Sequence, residues 1–385
     1  MVGIPKVVVL FESSRRSGQD IIRGIAKYSH IHGPWSLYYE PRGQDSKPPD
    51  FKSWNANGVI ARINSPQKAK DFISMGIPLI ARGTRGKIPG VINIVVDSKA
   101  IGKMAAEHLL ERNLKHFAYY GFSDIFWSQN SEKSFSNRIL QEGFKPYILT
   151  RPQSKIRSSW EIERSIIINW LKTLPKPIGI MACNDDCGKN IIQACKIVNL
   201  NLPDQVSVIG TDNDDLICEL CEPSLSSIEM NFIRSGYEAA EILDKLMKGE
   251  KVTCKTIVTQ PTNVVARRST DFLAVKDVEL IKAVEFIRQN ANKKIIQVCD
   301  VVEATSVSRR VLEKRFKKEF NRTILDEIKR TQVNHIANML AETNLSISEI
   351  ASTLDDNFNK HLARTFKKIK KVNPSEYRKT MSNYL

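Results

Sequence analysis

The chain has 385 residues, with 58 Lys+Arg against 42 Asp+Glu and a formal charge of +16. That length allows two or three domains with real cores, and no apolar run approaches the roughly 20 residues of a membrane helix. Seven scattered cysteines, an odd number, argue against a disulfide framework and suit a reducing cytoplasm.

The first apolar run, Val7 to Phe11, is short and β-branched and ends in ESSRRSG. It reads as a buried parallel strand rather than a signal peptide. Ile21, Ile22, Ile25 and Tyr28 then mark one face of a helix. The alternation continues with strands at Gly58–Ile63, Pro78–Ala81, His116–Gly121, Gly179–Cys183 and Val206–Gly210. Helices are expected at Gln67–Ser74, Ile101–Arg112, Trp160–Leu171, Cys187–Val198 and Gly236–Met247. Strands alternating with helices of this length predict α/β lobes with parallel sheets and right-handed crossovers. Ligands of such sheets sit beyond the carboxyl ends of the strands. The loops that matter are therefore ESSRRSG, ARGTRG after strand Pro78–Ala81, GFSDIFWSQ, CNDD and TDNDD.

Two of those loops are acidic: Asn184, Asp185 and Asp186 follow one strand, and Asp212 to Asp215 follow another. A carboxylate can accept two hydroxyl hydrogen bonds from a sugar, and an arginine of the first loop, Arg15 or Arg16, can donate. Trp127 either lies against the apolar face of a sugar ring or packs in the core. Asp185 either touches ligand or caps the helix near Cys187. Asp212, at a strand end, is harder to explain as structure alone. A metal site is not expected: successive aspartates point apart, no histidine is near, and Cys218/Cys221 form a CxxC without a second pair. GTRGKI at Gly83 lacks Walker spacing, and no nucleophile motif or catalytic histidine set appears. No enzyme activity and no cofactor are expected.

The tail is different. Between Lys276 and Leu385 there are 22 basic and 14 acidic residues, a field that attracts a polyanion without specifying it. One pattern is written there twice: IIQVCDVVEATSVSRRVLEKRFKKEF from Ile295, and ISEIASTLDDNFNKHLARTFKKI from Ile347. Each is a short helix, a polar turn and a longer basic helix. Leu312 and Phe316, like Leu362 and Phe366, are four apart and share one buried face. The free faces carry Arg309, Arg310, Lys314 and Lys317 in one unit and Lys360, Arg364, Lys367 and Lys368 in the other. A helix held by another, with cations on its free side, fits a major groove. The candidate base readers are Ser308, Arg309 and Lys314, then Asn359 and Lys360. Phosphate contacts are expected from Lys317, Lys318, Lys367, Lys368, Lys370 and Lys371.

With VVLFESSRRSGQDIIRGIAKYS, VVDSKAIGKMAAEHLLERNLKHFAYYG, LPDQVSVIGTDNDD, LSSIEMN and the closing NPSEYR in view, the chain resembles the xylose-operon-type transcriptional regulators. The resemblance runs from Lys6 to Arg378. It implies a sensor similar to LacI and periplasmic binding proteins, two Rossmann-like lobes with ligand between them, followed by an AraC-type DNA-binding domain. By the resemblance, Asp212 holds ligand hydroxyls, while Asp185, Trp127 and the Ser13 to Arg16 loop (Ser13, Arg15, Arg16) border the same cleft. It also implies a homodimer on double-stranded operator DNA, a small carbohydrate effector such as xylose or another pentose, and activation beside RNA polymerase. No membrane partner is implied. The expected domains are a sensor at 1–270, a linker at 271–277 and an all-helical domain at 278–385, with a long helix from about Thr323 to Glu342 joining its two units.

Several positions depart from the family pattern. Ser131 stands four residues after Trp127, where the family has an arginine that reaches ligand. Asp355 and Asp356 replace Gly-Phe in the second turn, and Leu362 replaces an aromatic residue. Asn321 and Lys371 replace glycines after the two units, and Gln332 replaces an arginine of the long helix. Two competing readings follow. In one, a DNA-binding regulator keeps its sensor only as a dimerisation scaffold. In the other, the chain is a sugar-binding adaptor that no longer uses DNA.

Overall fold

The computed structural model describes residues 3–41, 54–63, 66–74, 76–271, 275, 277–292, 295–343, 345–352 and 359–381. They form two compact units, Met1–Glu107 with His116–Asp271, and His108–Lys115 with Phe272–Leu385.

The first unit is α/β and has two lobes. The first sheet takes β1 (Lys6–Leu10), β2 (Ser36–Tyr39), β3 (Gly58–Ile63), β4 (Leu79–Gly83), β5 (Ile92–Val96) and β11 (Thr256–Thr259) in the order β2-β1-β3-β4-β5-β11. The second takes β6 (His116–Phe122), β7 (Tyr147–Arg151), β8 (Ile178–Ala182), β9 (Val206–Thr211), β10 (Ser226–Met230) and β12 (Pro261–Val265) in the order β7-β6-β8-β9-β10-β12. The two sheets therefore repeat one doubly wound pattern. Every pairing is parallel except β10 with β12. The central strands are buried on both faces, which is why they read as unbroken apolar runs.

Helices α1 (Arg16–His32), α2 (Pro66–Ser74) and α9 (Phe232–Met247) belong to the first lobe. Helices α3 (Ser98–Leu110), α4 (Phe126–Gln141), α5 (Gln153–Ser158), α6 (Trp160–Thr173), α7 (Asp185–Ile197) and α8 (Asp215–Leu220) belong to the second. The chain crosses between lobes after β5, after β10 and between β11 and β12. The crossings are tied together where Asp97 N–H donates to the Thr259 carbonyl at 2.9 Å and Asn231 N–H to the Gln260 carbonyl at 2.9 Å. In both sheets the strand order reverses at the first strand, so the carboxyl ends of β1, β3 and β4 face those of β6, β8 and β9 across one cleft.

The second unit is all-helical. It contains α10 (Val278–Asn290), α11 (Val298–Glu303), α12 (Arg309–Phe320), α13 (Ile324–Glu342), α14 (Ile347–Ser352), α15 (Asn359–Lys370) and α16 (Pro374–Met381). Thr323 and Asp326 make a reciprocal capping box that starts α13. Its 19 residues span about 28 Å. Among the described residues the unit has two cores. One joins Leu280, Val284, Val301, Leu312 and Phe316 to Ile324 and Ile328 at the start of α13. The other joins Val333, Ile336 and Leu340 further along α13 to Ile350, Leu362, Phe366 and Tyr377.

Candidate functional site

The cleft between the sensor lobes has a volume of about 930 Å³. Its best-defined feature is the turn after β9. Asp212 has φ +100°, and Asn213 has φ +49°. The turn is held from beneath by Asp185. One carboxylate oxygen of Asp185 accepts the Ser227 hydroxyl at 2.6 Å, and the other accepts the Asp214 N–H at 2.8 Å. Asp185 is 2% exposed, and burial, with Asp212 nearby, pushes its pKa well above the usual carboxylate range. The glycine before Thr211 follows from this arrangement: a Cβ on Gly210 would lie 2.2 Å from an Asp185 oxygen. Asp185 also lines the cleft, with both of its oxygens engaged by the turn. The residue that caps α7 is Asn184, whose side chain accepts the Cys187 N–H at 3.0 Å.

Asp212 is in the opposite condition. It lines the cleft, and its carboxylate accepts no hydrogen bond among the described residues. Burial pushes its pKa up to about 6, against the pull of Arg82 and Arg62.

The arginine loop divides in the same way. Arg15 lines the cleft and bridges the lobes, donating to both Asp186 oxygens at 3.2 and 3.1 Å. Arg16 does not line the cleft. It is consumed by Asp215 at 2.8 Å, the Asn213 carbonyl at 2.9 Å, Glu229 at 2.9 Å and Asp20 at 3.3 Å. Burial works against its charge, but Glu229, Asp215 and Asp20 outweigh that and hold its pKa above the ordinary value. Ser13 also lies outside the lining; both its N–H and its hydroxyl turn to the Pro41 carbonyl. Neither Ser13 nor Arg16 is among the residues that line the cleft: closure of the loop engages the first, and an ion cluster between the lobes engages the second.

Trp127 is both packed and cleft-lining. Its ring stands edge-on to Phe122, with centroids 5.8 Å apart, and it also lines the cleft. Ser131 is 2% exposed and sits where α4 crosses α3 closely; a Cβ on Gly102 would meet the Ser131 carbonyl at 2.3 Å. The cleft-lining residue of that turn of α4 is its neighbour Asn130.

Two further lining residues were not singled out from the sequence. Arg62 is the last residue but one of β3 and Arg82 the last but one of β4, and they are direct register partners. Arg62 has Glu12 at 3.5 Å. Arg82 stacks on the Phe232 ring, 4.7 Å from its centroid, and makes no ion pair among the described residues. Burial, with Arg62 beside it, lowers its pKa to about 10 despite Asp212; it stays charged at neutral pH. The signal was present as two Ala-Arg pairs, Ala61-Arg62 and Ala81-Arg82, each at the carboxyl end of a strand.

In the helical unit, Ser308 precedes α12 in extended backbone and leaves its side chain free of a capping bond. Ser308, Arg309, Arg310, Lys314, Lys317 and Lys318 are exposed, as are Arg364, Lys367 and Lys368 on α15. Arg309 pairs with Glu313 at 2.9 Å on its own helix. Leu312 and Phe316 are fully buried, and Phe366 meets Tyr377 edge-on at 5.3 Å. The side chains of Asn359 and Lys360, and Asp355 and Asp356 altogether, lie outside the described residues. Asn321 and Lys371, at the two lost glycines, both adopt left-handed backbone, with φ +52° and +67°.

A family model described as a periplasmic binding protein-like domain matches residues 106–270, and one described as a helix-turn-helix domain matches 301–380. The xylose operon regulatory protein of Haemophilus influenzae is 30% identical over 97% of this chain and 98% of its own. The chain belongs to this family. It is a sugar-responsive transcriptional regulator with a DNA-binding helix-turn-helix domain, and not an enzyme. A solved structure titled as the xylose-binding transcription activator xylR is similar over 99% of both chains, with 28% identity and a TM-score of 0.61. The transcriptional regulator GntR of Escherichia coli is 26% identical over 62% of this chain and 72% of its own.

These comparisons correct one expectation. The C-terminal module was expected to be of AraC type. The model that matches it is described only as a helix-turn-helix domain, and the relatives place the chain with LacI/GntR-type regulators. Among the described residues there is no group of acidic, histidine or cysteine side chains that could hold a metal, and no helix is long and apolar enough to cross a membrane.

Proposed function

We propose that a small carbohydrate of about pentose size binds between the sensor lobes and sets the affinity of the helical domain for operator DNA in the cytoplasm. The working parts are a sensor at 1–270, a linker at 271–277 and a DNA-binding domain at 278–385. The observation that carries this reading is Asp212: a carboxylate in a cleft of about 930 Å³ with no hydrogen-bond donor among the described residues. Burying it is costly unless a ligand supplies donors. Trp127 supplies an apolar face, and Asn130 and Arg82 supply donors. Asp185 acts on the ligand through the Asp212 turn. Xylose in the names of the relatives supports the pentose size, and the activator title of one solved structure supports activation beside RNA polymerase by a homodimer.

The two basic helices, α12 and α15, enter successive major grooves, about 34 Å apart on one face of the duplex. Ligand acts by binding two arrangements of the regulator with different affinities. The test is a footprint on the DNA upstream of the chain's own coding region, with and without a pentose and hexose panel. Sequence-specific protection that shifts with one sugar is the expected result. Absence of specific protection at modest salt with folded protein rejects the reading. A saturable rise in melting temperature with a sugar rejects the scaffold alternative, because selective native-state binding must stabilise.

A further inference from the structure

Two consecutive residues of the turn that presents Asp212 have positive φ, +100° at Asp212 and +49° at Asn213. Neither is glycine, and Asp212 lies outside the small left-handed region that aspartate and asparagine tolerate, so this backbone persists only where its surroundings hold it. The second lobe supplies part of the hold. Asp212 N–H donates to the Ile228 carbonyl at 3.0 Å, Asn213 N–H to the Ser227 hydroxyl at 3.0 Å, and Asp214 N–H to Asp185 at 2.8 Å.

The first lobe grips the same turn through Arg16, at the start of α1. The Arg16 backbone N–H donates to the Asp214 carboxylate at 3.0 Å. One terminal guanidinium nitrogen donates to the Asn213 carbonyl at 2.9 Å and to Asp215 at 2.8 Å, and the other donates to Glu229 on β10 at 2.9 Å. Three successive residues, 213 to 215, are thus tied to the opposite lobe by a single residue. Asp20, one turn further along α1, aims the guanidinium by accepting its Nε–H at 3.3 Å. The side chains of Asp20 and Glu229 are only 7% and 10% exposed, so salt screens these two pairs weakly. A lysine could not reproduce the set, because one ammonium cannot serve acceptors placed around a planar fork. Arg16 is not among the residues that line the cleft, so its effect on a ligand passes through the turn.

We infer that Arg16 is a positioning residue of the effector site: it holds the Asp212 turn from the opposite lobe, so that the Asp212 carboxylate is correctly set only while the lobes are together. This deepens the proposed function and rests on Asp212 being the group that accepts the sugar's hydroxyls. When the lobes part, Arg16 leaves Asn213, Asp214, Asp215 and Glu229 in one step, and the turn keeps only its second-lobe bonds.

The experiment compares full-length wild type with Arg16→Gln, Arg16→Lys and Arg23→Gln. Arg23 is the control, since it pairs with Asp20 at 2.7 Å on the same helix. Titration calorimetry uses D-xylose, L-arabinose, D-ribose, D-glucose and D-galactose. The sugar that binds wild type should bind Arg16→Gln about tenfold or more weakly. Arg16→Lys should lose less, and Arg23→Gln should match wild type. Arg16→Lys keeps the positive charge in the acidic cluster and decides the matter if Arg16→Gln does not fold. The loss should be larger at pH 7 than at pH 5, because misplacing Asp212 costs most when it is ionised; a merely structural defect would weaken binding equally at both. Lobe separation is read without sugar, by pulsed electron–electron resonance between nitroxides on Cys254 and Gln141→Cys. The Cys299→Ser chain serves as background, because Cys254 and Cys299 are the exposed cysteines. Arg16→Gln should lengthen and broaden the distance distribution, and Arg23→Gln should not. Wild-type affinity, wild-type distances or an equal loss at both pH values in the Arg16 variants overturns the inference and leaves the proposed function standing. Binding of none of the sugars by wild type overturns both.

Discussion

Asp185 and Asp212 are neighbours in the second lobe, both at the carboxyl ends of central strands, and their oxygens are used in opposite ways. Asp185 gives both to its own protein, whereas Asp212 gives neither. The arginines repeat the contrast. Arg16 is surrounded by Asp20, Asp215 and Glu229, while Arg82 has an aromatic ring and open cleft. Residue type is the same within each pair, and all four stand at or just beyond the carboxyl ends of sensor strands. What separates scaffold from ligand site is whether the polar group is already satisfied, because buried polar groups that find no partner inside the protein need one from outside.

The contrast breaks most visibly on stability. Asp185→Ala leaves the Asp214 N–H and the Ser227 hydroxyl without their acceptor, and should cost about 2–4 kcal/mol in thermal or urea unfolding of the sensor. A loss below 1 kcal/mol would show that the turn after β9 does not depend on Asp185.

The same distinction can be sharpened in the DNA-binding unit, where Arg309 is paired with Glu313 and Lys317 carries no ion pair among the described residues. Arg309→Ala should lose about 1–3 kcal/mol of discrimination at one base position. Lys317→Ala should weaken all sequences together and lower the salt slope by about one. Binding to the operator and to scrambled half-sites across a salt series separates the two. Equal discrimination by both variants would place Arg309 on the phosphates.

Asp212 also sets a pH dependence. Its folded-state pKa, about 6, lies above the ordinary carboxylate value, so the unliganded fold holds the proton more tightly than the unfolded chain. Its contribution to stability is fully present below the ordinary value and is lost as pH rises through about 6. Ligand binding runs the other way, since accepting hydroxyls needs the ionised form. Effector affinity should fall about tenfold from pH 7 to pH 5 in wild type, and the Asp212-dependent part of both profiles should vanish in Asp212→Asn. A flat wild-type affinity profile would remove Asp212 from the ligand.

Much of the fold was legible in the sequence. β3 was read to the residue, and β1, β6, β8 and β9 to within a residue or two, because a buried parallel strand is an unbroken apolar run. Helix α4 went unassigned, its first residues falling in the loop GFSDIFWSQ, since its buried face is built from Ser128 and Ser131 as well as Phe135 and Ile139; small polar residues packed against another helix carry no apolar period. β2 was missed because it is an edge strand with mostly exposed side chains. The short, polar-flanked strands from β10 to β12 are set by long-range pairing rather than local pattern. At the site, Asp212 stood out by position, but neither the diversion of Arg16 and Ser13 nor the pairing of Arg62 with Arg82 could be read without the register of β3 against β4.

The two C-caps give a smaller comparison. Asn321 and Lys371 stand in left-handed backbone, and only asparagine tolerates it well. Lys371→Gly should therefore stabilise the helical unit by about 1 kcal/mol. Asn321→Gly should give a few tenths at most. Melting curves of the full chain would show it, and a larger gain from Asn321→Gly would contradict the assignment.

The most direct test of the central claim puts Asp212→Asn and wild type side by side in titration calorimetry with the pentose and hexose panel, with melting temperature measured on the same samples. Asp212→Asn should keep the wild-type melting temperature without ligand to within a few degrees, and lose saturable binding and the ligand-induced rise. Wild-type affinity in Asp212→Asn would contradict the claim that its unpartnered carboxylate holds the effector.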